Sequence, residues 1–181
     1  SVRAAKKEIY STRSFGNRIT EFNELRSALA SHAETVAIKL RKQKSLTASM
    51  TLFATSSPHD AEGYFRRSHF HRFTVPTNDT RNIVKVIESA MVQLYQSGVR
   101  YYKCGVGLLD LHDEGLFQYD LFSPSNDNTK LMSCMDNINA KYGRSTVQMA
   151  AKGFEQKFAM RREFLSPQYT TKWSDIPKII C

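Results

Sequence analysis

Leu46-Thr47-Ala48-Ser49-Met50-Thr51-Leu52-Phe53-Ala54-Thr55 alternates with a period of two. Leu46, Ala48, Met50, Leu52 and Ala54 share one face; Thr47, Ser49, Thr51 and Thr55 lie on the other with Phe53. Successive side chains of an extended chain point to opposite sides, so this is a strand with one apolar, buried face and one hydroxyl-rich face. A sheet built on it needs helices over the apolar side only.

The flanking sequence supplies them. Phe22, Leu25, Leu29, Val36 and Leu40 recur at spacings of three, four and seven, the mark of an amphipathic helix. Thr20 is expected to cap it, with Glu21 and Glu24 in a first turn where carboxylates favour the helix dipole. Its end is basic: Lys39, Arg41, Lys42 and Lys44. Before it, Glu8 to Phe15 reads as a short strand, ended by a turn at Gly16-Asn17. Downstream, His69 to Val75 forms a third strand, stopped by Pro76 and Asn78-Asp79. A second helix from near Thr80 aligns Ile83, Ile87, Ala90, Met91 and Leu94 and ends at Gly98. Tyr101 to Leu111 is the fourth strand, with Cys104, Val106 and Leu108 pointing one way and Lys103, Gly105 and Gly107 the other. The order is βαββαβ, an α+β, ferredoxin-like arrangement of a four-stranded sheet with two helices on one face. The other face is left open, small-residued and hydroxyl- or lysine-bearing, which suits the close approach of a nucleic-acid backbone.

Residues 1–113 are thus expected to form one domain. Asp113 to Asn128 breaks the pattern with acids, Gly115 and Pro124, and reads as an extended linker over 114–128. Residues 129–181 form a small helical and irregular module. Its helix runs from Thr129 to Tyr142 with Leu131, Met135, Ile138 and Tyr142 on one side, stopped by Gly143. Ser145 to Ala151 reads as a strand, and Cys134 with its neighbouring Met residues as helix core.

Charge follows the same division. The net charge is +9 overall, made of +7 over residues 1–113, −3 over 114–128 and +5 over 129–181. Two basic modules around a short acidic segment point to two phosphate-facing surfaces joined by a linker of different purpose. The three cysteines, Cys104, Cys134 and Cys181, lie far apart without zinc spacing and read as inert thiols in a reducing cytoplasm. No apolar run is long enough to span a membrane. The start, Ser1-Val2-Arg3, has neither an initiator Met nor a signal-peptide core, as expected of a piece of a longer chain.

Several stretches resemble one family. Thr12-Arg13-Ser14-Phe15-Gly16 is similar to the opening strand of the little finger domain of Y-family DNA polymerases. Val75-Pro76-Thr77-Asn78-Asp79-Thr80 and Gly105-Val106-Gly107-Leu108-Leu109-Asp110-Leu111 resemble the UmuC type of that family (UmuC, MucB, ImpB, SamB). So do Ala140-Lys141-Tyr142-Gly143, Arg161-Arg162-Glu163 and the stretch from Leu165 to Pro177. The resemblance implies a non-catalytic portion of an error-prone translesion polymerase. In it a little finger would lie against primer-template duplex DNA, holding phosphates. It implies Thr12, Arg13 and Ser14 as contacts, with Lys103 beside them and Arg41, Lys42 and Lys44 at the duplex edge. Gln118-Tyr119-Asp120-Leu121-Phe122 resembles the Gln-x-x-Leu-Phe peptide that binds the bacterial sliding clamp, with Gln118, Leu121 and Phe122 as anchors and Tyr119 where the family usually has Leu. A UmuD dimer and a RecA filament are implied as partners in the SOS response. Nucleotidyl transfer, with its magnesium and metal-binding acids, is implied to reside in a palm domain outside this chain.

Other pairings point to no chemistry. His69 and His71 share a strand face without a third ligand, and Asp110 and Asp113 are not expected to form a catalytic pair. Two rival classes fit the same sequence. A protein–protein adaptor would use the basic surfaces on acidic partners. An RNA-binding module would stack bases on its third strand, yet SHFHRFTV lacks the basic-Gly-aromatic-Gly-aromatic pattern of such modules.

Overall fold

The computed structural model describes residues 7–61, 63–117 and 127–153. The element order is β1 (Ile9–Ile19), α1 (Phe22–Lys42), β2 (Ser45–Ser56), β3 (Arg66–Thr77), α2 (Thr80–Leu94), β4 (Tyr101–Asp113), α3 (Thr129–Tyr142) and a single 3₁₀ turn (Ala150–Lys152). The strands form one antiparallel sheet in the order β1-β4-β2-β3. Each βαβ unit is therefore split by a strand of the other: β4 lies between β1 and β2, and β2 between β3 and β4.

The expected alternation of β2 holds on its apolar side. Met50, Leu52 and Ala54 are sealed from solvent and pair with Leu108, Val106 and Cys104 of β4, which face the same way. Against them lie Leu25, Ala28, Leu29, Ala33, Val36 and Leu40 of α1 and the α2 stripe Ile83, Ile87, Ala90, Met91 and Leu94. Tyr101 is buried whole at the start of β4. Its hydroxyl donates to the Leu94 carbonyl at 2.9 Å and accepts from the Gln96 amide at 2.7 Å, so burial leaves no polar atom orphaned.

Several expected boundaries move. Gly16-Asn17 is not a turn. β1 runs through it to Ile19 by a bulge, since Ser14 pairs with Lys103 and Ile19 with Tyr101. Thr20 does not cap α1; Glu21 takes the N-cap position without a side-chain hydrogen bond to the helix. β3 starts three residues earlier than expected and continues through Pro76, which an edge strand tolerates because its missing N–H can face away from the ladder. Residues 145–151 form no strand; they end in the 3₁₀ turn, held against α1.

α3 has the expected ends, with Asn128 capping the Leu131 amide at 2.9 Å, but its buried face is rotated. Met132 is the buried residue, while Leu131 and Tyr142 are exposed and so is Cys134. The reason is polar. Asp136, one turn after Met132, accepts two hydrogen bonds of 2.7 Å from Arg41, and Asn139 pairs twice with the Val147 backbone. The packed side of α3 is thus set by its partners on α1 and the following loop.

Candidate nucleic-acid interface

Register decides which side chains share the sheet's open face. Across the four strands, Ser14, Lys103, Thr55 and Arg66 form one row; Thr12, Gly105, Phe53 and Ser68 the next; Tyr10, Gly107, Thr51 and Phe70 a third. Neighbouring strands lie about 4.8 Å apart, so each row is about 14 Å wide. Arg72 extends the face further, opposite Ser49. The glycines of β4 are needed here. A Cβ at Gly107 would stand 2.2 Å from the Tyr10 ring, and one at Gly105 would meet Thr12 and the Phe53 ring at 2.6 and 2.8 Å. Tyr10 and Phe53 therefore lie over the β4 backbone and leave the face shallow. It presents hydroxyls, a low aromatic floor and cations at Lys103, Arg66 and Arg72.

Thr12, Ser14 and Lys103 come together as expected, but Arg13 does not join them. Arg13 pairs with Cys104 and belongs to the helix side of edge strand β1. Its charge acts on α1, where it helps to depress the His32 ring. The signal was present in the sequence: Ile9, Ser11, Arg13 and Phe15 have one parity, and Ile9 and Phe15 are both core residues. Arg66 precedes the strand expected from His69, and Arg72 joins this face through its pairing with Ser49.

Arg41 is engaged elsewhere. Its guanidinium donates to both oxygens of Asp136, to the Asn78 carbonyl at 2.9 Å and to Thr80 Oγ1 at 2.8 Å. It fastens α1 to α3 and the β3–α2 loop. Lys42 and Lys44 are exposed, but they sit where β2 begins, at the opposite end of the sheet from Lys103. Eleven residues of strand separate Lys44 from Thr55, about 36 Å. At that end the face is closed. Thr47 and Ser49 are fully buried; Thr47 Oγ1 lies 2.7 Å from the Leu109 carbonyl, and Ser49 bonds the Asp110 carboxylate. Asp110 takes a left-handed conformation (φ 49°) that a short polar side chain tolerates.

The stretch Thr77-Asn78-Asp79-Thr80 proves to be a buried polar junction. Asp127 accepts from Thr77 Oγ1 (2.6 Å), the Asn78 amide (3.2 Å) and Asn82 (2.9 Å), while Asp79 caps α2 and accepts from the Asn128 amide at 2.9 Å. Burial works to raise the Asp79 carboxyl, but hydrogen bonds from Arg81 and the Asn128 and Arg81 amides outweigh it, and the group stays below the usual carboxylate range. Asp127 is thus folded structure and not the end of an extended linker. Gln118, Leu121 and Phe122 lie outside the described residues, as do the stretches 161–163 and 165–177.

His69 and His71 face the helices; His69 Nδ1 is 2.8 Å from Gln93, and among the described residues no three His, Cys, Asp or Glu side chains gather as metal ligands would. No helix among them is long and apolar enough to cross a membrane.

One titration follows from β1 and α1. Burial, then the charges of Arg13 and Lys39, push the His32 ring down to about 4 from 6.5, with Ser11 Oγ 2.9 Å from its Nδ1. Between those values the unfolded chain holds the extra proton, so stability is complete above 6.5 and falls as pH drops toward 4. Urea midpoints should show a loss of about 2 kcal/mol between about pH 7 and pH 5, and His32→Gln should remove that part of the slope.

A four-stranded sheet with helices on one side and a shallow, cation-bearing surface on the other defines an α+β domain with one solvent-facing sheet. Residues 6–121 match the model of the impB/mucB/samB family C-terminal domain, and residues 129–179 match a domain of unknown function. The chain belongs to the impB/mucB/samB family. It is 37% identical to Protein UmuC of Salmonella typhimurium over 97% of its length, 35% identical to Protein SamB of Salmonella typhimurium over 95%, and 33% identical to Protein MucB of Escherichia coli over 96%. It spans 42%, 41% and 41% of those relatives. A complex of the β-clamp processivity factor with the little finger domain of PolIV is similar at a TM-score of 0.45 and 12% identity, over 63% of this chain and 97% of that one.

Proposed function

We propose that the open sheet face holds duplex primer-template DNA by its phosphates, and that Gln118, Leu121 and Phe122 tether the protein to a bacterial sliding clamp. The observation that carries the DNA reading is the row Ser14, Lys103 and Arg66, bridged by the buried Thr55, beside the glycine-lined rows of β4. Hydroxyls and cations on a shallow surface meet phosphate oxygens without reading bases. Membership of the UmuC-type family supports the wider reading. Residues 1–113 act as the little finger, 114–128 as the clamp tether and 129–181 as an assembly module for UmuD and RecA, within an error-prone translesion polymerase of the SOS response. Nucleotide transfer with magnesium then belongs to the remainder of the longer protein, in the cytoplasm.

The test is binding to a fluorescent primer-template duplex across a salt series. Lys103→Glu is expected to weaken binding about tenfold at low salt and to reduce the logarithmic salt slope by about 0.9, the share of one phosphate. Arg13→Glu, on the other side of β1, should change affinity by less than about threefold. Equal losses from both variants would mean that the face is not selective and that net charge alone drives binding. Tighter binding to single-stranded RNA would favour the RNA-binding class, and unchanged DNA binding with disrupted assembly the adaptor.

A further inference from the structure

β3 is an edge strand, and its second half departs from β2. Arg72 pairs with Ser49 and Thr77 with Thr47, so the four residues Phe73 to Pro76 stand against Ala48 alone. This bulge opens a groove of about 620 Å³ between β3 and α2. Phe73, Val75 and Val86 supply its apolar lining, and Arg72, Lys85 and Glu88 are among its charged groups.

The lining carries two cations, Arg72 and Lys85, and two acids, but both acids are engaged by other residues. Glu88 is 3.4 Å from Arg26, and the other acid of the lining, Asp127, is held by Thr77, Asn78 and Asn82. Among the described residues no hydrogen bond or ion pair holds Arg72 or Lys85. β3 carries Arg66, Arg67 and Arg72 and no acid along its twelve residues. A second recess continues along the same seam beside Arg67 and Ser68, next to Val92, an apolar side chain 82% exposed on α2. An edge strand that no described strand covers, an apolar recess at Phe73, Val75 and Val86, the exposed Val92 further along the seam and three arginines on β3 fit an added strand whose own charge is negative.

We propose that the β3–α2 groove docks an extended acidic segment of a partner protein, laid along β3 as a further strand. Its apolar side chains enter the recesses at Phe73, Val75 and Val86 and at Val92, and its carboxylates meet Lys85, Arg72 and Arg67. Lys85 and Val92 belong to α2, outside the open sheet face, so the test rests on these two residues and not on Arg72, which the open face also presents.

The probe is a short fluorescein-labelled peptide alternating Asp or Glu with Val or Leu, titrated into the full chain. A control peptide carries Asn and Gln in place of the acids. The acidic peptide is expected to bind at least about tenfold more tightly than the control. It should slow amide exchange along Arg66 to Val75. Lys85→Glu and Val92→Asp, both at exposed positions, should each weaken it by about fivefold to tenfold and leave duplex affinity unchanged. No binding of the acidic peptide, equal binding of the neutral one, or protection confined to other elements would overturn the proposal. So would a Lys85→Glu variant that loses duplex affinity and keeps the peptide, since the groove would then be a DNA surface.

Discussion

Arg41→Ala is expected to lower stability by about 3 kcal/mol and to free α3 for proteolysis. Arg41 makes four hydrogen bonds from one guanidinium, two of them the parallel pair to Asp136 at 2.7 Å, and its side chain is 12% exposed. Truncation leaves the Asp136 carboxylate and the Asn78 carbonyl without their donor. Breaking a buried ion pair from one side costs about 3–5 kcal/mol. The Asp136 side chain keeps 30% exposure, so water recovers part of that and the lower end applies. Arg41→Lys should rescue little, because an ammonium cannot reproduce a planar fork that serves a carboxylate, a carbonyl and a hydroxyl together. Urea unfolding gives the loss, and the rate of cleavage within α3 shows whether the junction opens first. If Arg41 were a surface cation facing phosphates, the same change would leave stability within about 0.5 kcal/mol and weaken duplex binding instead.

Arg41 also shows where sequence reasoning runs out. Its place at the end of α1, beside Lys39, Lys42 and Lys44, looks like a basic patch. Its partner Asp136 lies 95 positions away, and no local period announces the pair. Core-facing stripes were legible because burial imposes a period. α2 follows its period closely, and every apolar residue assigned to its stripe is buried, whereas β2 keeps its period only in part, since Thr47 and Ser49 of its hydroxyl face are buried as well. α3 offered two overlapping stripes, Leu131-Met135-Ile138 and Met132-Asp136-Asn139. Hydrophobicity chose the first, whereas the ion pair and the Asn139–Val147 bonds select the second. Strand order was illegible for a related reason. A βαββαβ sequence is compatible with more than one order, and the cross-strand neighbours Ser14, Lys103, Thr55 and Arg66 are spread over more than fifty positions. The open face could be anticipated from β2 and β4 separately; which residues of β1 and β3 complete it needed the register.

Replacing Leu121 and Phe122 together with Ala is expected to reduce binding to a bacterial sliding clamp by at least about 100-fold, below detection in an ordinary titration. In a short anchor peptide most of the energy rests on the side chains that fill the pocket, and each such residue is worth about 2 kcal/mol or more. Tyr119→Leu should change affinity by less than about tenfold, because Tyr119 is not among the proposed anchors Gln118, Leu121 and Phe122. The competing account, in which Leu121 and Phe122 only cover the neighbouring domain, makes the opposite forecast: a lower unfolding midpoint with clamp binding intact. Measuring both quantities on one variant separates the accounts. If the tether and the sheet act as two linked contacts, the second engagement becomes intramolecular once the first is made. The double variant should then lose more affinity on primer-template DNA carrying a clamp than on bare DNA, while Lys103→Glu weakens both. A clamp that added nothing to the affinity of the unaltered protein for loaded DNA would show that the two contacts cannot be made at once, and the tether would have to serve some step other than holding the primer end.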